Sequence, residues 1–172
     1  MEFSLSLKRE AFLHNEIWSK GMGSLVVARQ KPAGTIDAGV FLLDVYCLGV
    51  KNAFYKIFSN KEFEEKFMPS CFPSGDFLRV ELPYARKLIE DSVNYAKSLG
   101  FPPNRDYKKA LKVLGGIKSS DSEETFTFGS NGRPLFIAGP TDTRQKINMI
   151  MKKLALTCGE GNYDYLLPAD VC

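Results

Sequence analysis

The chain has 172 residues and is 44% hydrophobic, 25% charged and 12% aromatic. That ordinary globular composition excludes disorder and low complexity as descriptions of the whole. The length suits one domain, 1–172, with a core large enough to fold without staples. A net charge of +3 is too small to imply a nucleic-acid partner by itself.

No apolar run approaches the roughly 20 residues of a membrane span. Asp44 interrupts the longest run, and Lys152 and Lys153 close the one at Met149–Met151. The start, MEFSLSLKREAFLH, holds no long apolar stretch and does not read as a secretory signal. Cys47, Cys71, Cys158 and Cys172 are scattered without a C-x-x-C pair, so free thiols in a reducing cytoplasm are expected. His14 is the single histidine, which excludes H-E-x-x-H zinc sites and iron sites that need two histidines. By itself it reads as a surface or packing histidine.

Residues 8–20 place Phe12, Leu13 and Ile17 at near-helical spacing, which predicts a short amphipathic helix peripheral to the core. Ser24–Gln30 and Thr35–Cys47, joined by the turn Lys31–Gly34, predict a β-hairpin. Its second strand is apolar on both faces around Val40–Leu43, as a central strand would be. Leu48–Asn60 reads as an irregular segment, residues 61–67 as a short charged helix, and Pro69–Asp76 as a loop. Leu82–Leu99 carries the clearest helical stripe, with Pro83 in its first turn and Gly100 after it.

A second helix is predicted over Asn104–Leu114, with Asn104 as N-cap. Asn131-Gly132 between Thr125–Gly129 and Leu135–Ala138 predicts a second hairpin. Thr141 or Asp142 caps a helix running to about Leu156, and Asn162–Leu167 can form a last strand. Two hairpins with helices between them argue for an α+β fold with a largely antiparallel sheet and helices packed on it.

Chemistry is sparse. There is no P-loop, no nucleophile elbow and no S-x-x-K. Gly21 and Gly23 are followed by a strand, so they do not form a dinucleotide fingerprint. Asp44 lies inside VFLLDVYCLGV, where a charge is costly unless paired. It can be a metal ligand or general base with a second carboxylate such as Asp142 or Asp37. Equally it can pair with Lys51 or cap the following loop. Cys47 needs a base or cation to become a nucleophile, and only Lys51 is near in sequence; an inert buried thiol is the other reading.

Arg105, Lys108, Lys109 and Lys112 make one helix basic, and Arg144, Lys146, Lys152 and Lys153 another. Such side chains neutralise phosphates, though a solvated helix face looks the same. If both helices share a side, the phosphate reading gains. No cofactor or metal is implied.

The run Val45–Phe54 (VYCLGVKNAF), with Gly39–Asp44 before it, resembles a segment of an uncharacterised bacterial protein family. GMGSLVVARQ, YAKSLGFPPNRDY and FGSNGRPLFIAGP are similar to the same family, so the likeness runs from about residue 17. It implies a shared fold and no activity. The family commonly has histidine where Asn104 stands, so no role for that side chain carries over. Two functions follow as expectations: a non-enzymatic module binding protein or nucleic acid, or a metal-dependent hydrolase or nuclease-like enzyme built on Asp44.

Overall fold

The computed structural model describes residues 8–171, with side chains to Asp170. Five strands form one antiparallel sheet: β1 (Arg9–His14), β2 (Met22–Gln30), β3 (Thr35–Asp44), β4 (Gly49–Ser59) and β5 (Phe77–Val80), in spatial order β4-β3-β2-β1-β5. The fold is α+β. Among the described residues no helix is long and apolar enough to cross a membrane.

The first predicted hairpin forms as β2 and β3, with Arg29 opposite Asp37 and Leu25 opposite Phe41. Period-two alternation then sorts the side chains. Ala11, Leu13, Leu25, Val27, Phe41 and Leu43 point to one face; Phe12, Val26, Ala28, Ile36 and Val40 point to the other. α4 (Leu82–Ser98) and α5 (Tyr107–Leu111), the latter continued by a 3₁₀ turn at Lys112–Leu114, cover the first face. The second is covered by one irregular helical stretch: α2 (Asn60–Glu62), a π-helical turn (Phe63–Phe67) and α3 (Met68–Cys71). Ser59 caps its start, its Oγ accepting the Glu62 amide at 3.1 Å.

A third cluster lies beyond the β3–β4 turn. There α6 (Arg144–Cys158) packs Ile147, Ile150 and Leu154 against Cys47, Leu48, Leu99 and Phe136. α4 belongs to both the first and third clusters, through Leu88 and Ile89 at one end and Ala96 at the other.

Six expectations need correction. Residues 8–20 are not a helix but β1 followed by the four-residue α1 (Ile17–Lys20). Both faces of β1 are buried, so its apolar run shows no alternation and imitates a helical stripe. Leu48–Asn60 is the eleven-residue strand β4, disguised by a register shift at Leu42/Leu43 that breaks its period. The predicted loop at Pro69–Asp76 starts inside α3, and β5 follows it.

The second hairpin does not form, although its tight turn does. Asn131 and Gly132 both take positive φ, and Ser130 bridges Arg133. Leu135–Ile137 (β6) pairs instead in parallel with the predicted last strand, Asp164–Leu166 (β7). The other arm sends Phe126 onto Trp18 and Phe128 onto Tyr95, stacked at 5.6 and 5.0 Å.

Helix ends also shift. Asn104 accepts the Asp106 amide at 2.9 Å and so sets up the turn before α5 rather than capping it. Thr143 caps α6, while Asp142 closes the preceding turn on the Gly139 amide.

Candidate functional site

The residues singled out around Asp44 are engaged in the architecture. Asp44 is 3% exposed, and its Oδ1 accepts the amides of Tyr46 and Cys47, both at 3.0 Å. Burial pushes its pKa up to about 6, against the opposing pull of the Leu48, Cys47 and Tyr46 amides and the Lys51 charge. It caps the β3–β4 turn, one of the two structural roles its position allows. Lys51 faces a different acid, Asp142, at 4.0 Å.

Asp142 is itself held by the Gly139 amide and by Lys146, each at 2.7 Å. Asp37 is bound by Arg29 at 2.6 Å and Lys31 at 3.0 Å. Among the described residues neither proposed second carboxylate belongs with Asp44 to a group of three potential metal ligands. Cys47 is fully buried; burial first, then the Asp44 charge, pushes its thiol up, the opposite of nucleophile activation.

Among the described residues, one group of three side chains could approach a metal: His14, Glu16 and Asp76. His14 Nδ1 accepts the Glu16 amide at 3.2 Å, so Nε2 carries the proton and donates to Asp76 Oδ2 at 2.9 Å. Lys20 sits on Glu16. Both ring nitrogens are thus used in tying the end of β1 to the loop before β5.

The basic helix occupies a different environment. The Asn104 amide bonds the Val50 carbonyl of β4, and α5 then crosses the first face, its Ala110 carbonyl resting on Gly39 of β3. A Cβ at Gly39 would overlap that carbonyl oxygen, so the glycine sets how close α5 lies. The 3₁₀ turn ends at Gly115, where the Arg9 guanidinium is 3.0 Å from the position a Cβ would occupy.

Arg9 stands opposite Arg29 across β1 and β2, on the face that α5 covers. Arg29 and Lys31 share Asp37, which has no exposed surface. Burial pushes the Asp37 carboxyl up, but donation from Arg29, Lys31 and Tyr55 outweighs it and holds the pKa below the usual range. Like charges directly opposite in a sheet repel, and one shared carboxylate only partly offsets three cations.

Lys108, Lys109 and Lys112 are exposed and meet no carboxylate at ion-pair distance among the described residues; Arg105 has Asp106 at 3.9 Å. α5 and the adjoining end of the sheet thus present Arg9, Arg29, Lys31, Arg105, Lys108, Lys109 and Lys112 against Asp37 and Asp106. α6 lies on the third cluster, and its Lys153 packs beside Gly100.

The sequence reading selected Arg105, Lys108, Lys109 and Lys112 on and around α5 and missed Arg9, Arg29 and Lys31. The signal for Arg29 was one residue out: a turn at 31–34 would set Arg29 opposite Ile36, whereas Lys31 bonds Thr35 and the register places Arg29 opposite Asp37. Arg9 was lost with the strand that carries it. Comparison with protein-family models, curated protein sequences and solved structures gives no match.

Proposed function

We propose that this chain is a non-enzymatic module that binds the phosphate backbone of a nucleic-acid duplex through α5 and the adjoining end of the sheet. The observation that carries the reading is the bordering of three lysines on α5 and its 3₁₀ extension, unpaired among the described residues, by Arg9, Arg29 and Lys31, with a single buried carboxylate among the last three. Lysine and arginine side chains so placed release condensed counterions when they meet phosphates. The repulsion between Arg9 and Arg29 is a cost that an anionic partner relieves.

Tyr55 and Tyr107 are half-buried and packed on the core, so the surface offers charge without a stacking platform. That favours a duplex backbone over unstacked bases. The acids at Asp121, Glu123 and Glu124 lie on a separate exposed segment, leaving the basic surface undiluted.

The test is fluorescence anisotropy with a short duplex at low salt. Combined Lys108→Glu, Lys109→Glu and Lys112→Glu is expected to weaken binding by about 100-fold or more. Lys152→Glu with Lys153→Glu on α6 should leave it near the wild-type value. Equal binding by the α5 variant and the wild type would refute the proposal.

A further inference from the structure

A groove of about 610 Å³ lies over the second face of the sheet, between β1, β5 and the helical stretch 60–71. That volume falls within the range of small-molecule sites, roughly 300–1,000 Å³. Its two ends differ. Phe63, Met68, Phe72 and Phe77 line it toward the loop before β5, with Phe12 between them on the sheet. Gln30, Asn60 and Glu64 lie toward the other end with Lys8 and Glu10, while Arg79 stands opposite Phe12 with its guanidinium 5.8 Å from that ring.

The charges at the polar end are not equivalent. Lys8 and Arg79 both reach Glu10, at 3.2 and 3.8 Å. Glu64 is exposed and has no cation at ion-pair distance among the described residues. Asn60, one helical turn before it, has a buried Oδ1 without a hydrogen-bond donor among the described residues. The Asn60 oxygen has no surface open to the groove, so the free acceptor there is the Glu64 carboxylate, beside an aromatic wall. Aromatic faces attract cations as well as apolar groups. The π turn at Phe63–Phe67 widens the helix where it lines the groove, a departure frequent at functional sites.

We propose that this groove binds an amphipathic amine, with its apolar body on the phenylalanines and its ammonium at Glu64. The proposal is independent of nucleic-acid binding, which uses the opposite face.

Isothermal titration of the full chain with phenylbutylamine, phenylbutyrate and phenylbutanol tests it, since the three share one body and differ in the head. The amine is expected to bind about tenfold more tightly than the alcohol, and the acid most weakly. Glu64→Gln, at an exposed position that leaves the fold intact, should remove the advantage of the amine. Glu64→Lys should shift the preference to the acid. Tighter binding of the acid by the wild type, indifference to the head group, or no binding by any of the three would overturn the proposal.

Discussion

The two faces of the sheet are built from alternate residues of the same strands, yet they are covered to different depths. On the first, α4 and α5 seal Phe41 and Leu43 from solvent, and α5 lies so close that only glycine fits at position 39. On the second, a short stretch broken by a π turn leaves an open groove. The covering element decides the outcome: a regular helix docks along its whole length, whereas an irregular one touches at a few phenylalanines. The same difference separates the proposed roles. The tight face carries a rigid basic helix on its outer side, and the loose face keeps its own inner surface for a ligand.

Truncating one phenylalanine on each side tests the contrast most strongly. Phe41→Ala should cost about 3–5 kcal/mol in urea denaturation, because it opens a sealed void. Phe72→Ala should cost nearer 2 kcal/mol, essentially the transfer term, because it enlarges a groove already open to water. Equal losses would show that the second face is packed as tightly as the first.

Gly39→Ala probes the contact that holds α5 down. Overpacking against the Ala110 carbonyl is expected to cost about 1–3 kcal/mol and to weaken duplex binding as the helix is displaced. A stable variant with unchanged binding would mean that the approach of α5 is incidental to the surface.

A pH-dependent effect arises at the far end of the sheet, where Asp44 caps its turn. Its folded pKa of about 6 lies above its ordinary value of 3.8, so folding favours the protonated form. Asp44 thus contributes stability that is fully present below about pH 4 and is lost as pH rises through about 6, worth up to about 3 kcal/mol. Asn in its place keeps an oxygen for the two amides and carries no charge. Asp44→Asn should therefore match or exceed wild-type stability near pH 8, and that margin should shrink toward about pH 4. A variant much less stable at about pH 8 would mean that the negative charge itself holds the turn.

Local signals were legible where one pattern dominated. The β2–β3 hairpin, α4, α6 and β7 followed from periodicity, turns and breakers. β1 and β4 did not, because burial on both faces erased the alternation of one and a bulge broke the other. The Asn131-Gly132 turn was readable, but the fate of its arms was not; Phe126 and Phe128 stack on Trp18 and Tyr95 instead of pairing their arm with Leu135–Ala138. Of the candidate site, the α5 lysines could be read directly. Their union with Arg9 and Arg29 depends on sheet order, which no local pattern encodes.

The salt dependence of duplex binding tests the central claim most directly. The logarithm of the wild-type association constant should fall steeply against the logarithm of salt concentration, and removing Lys108, Lys109 and Lys112 should flatten the slope by about one unit per lysine. A wild-type slope near zero, or a slope unchanged in the triple variant, would contradict the assignment of this surface to phosphate.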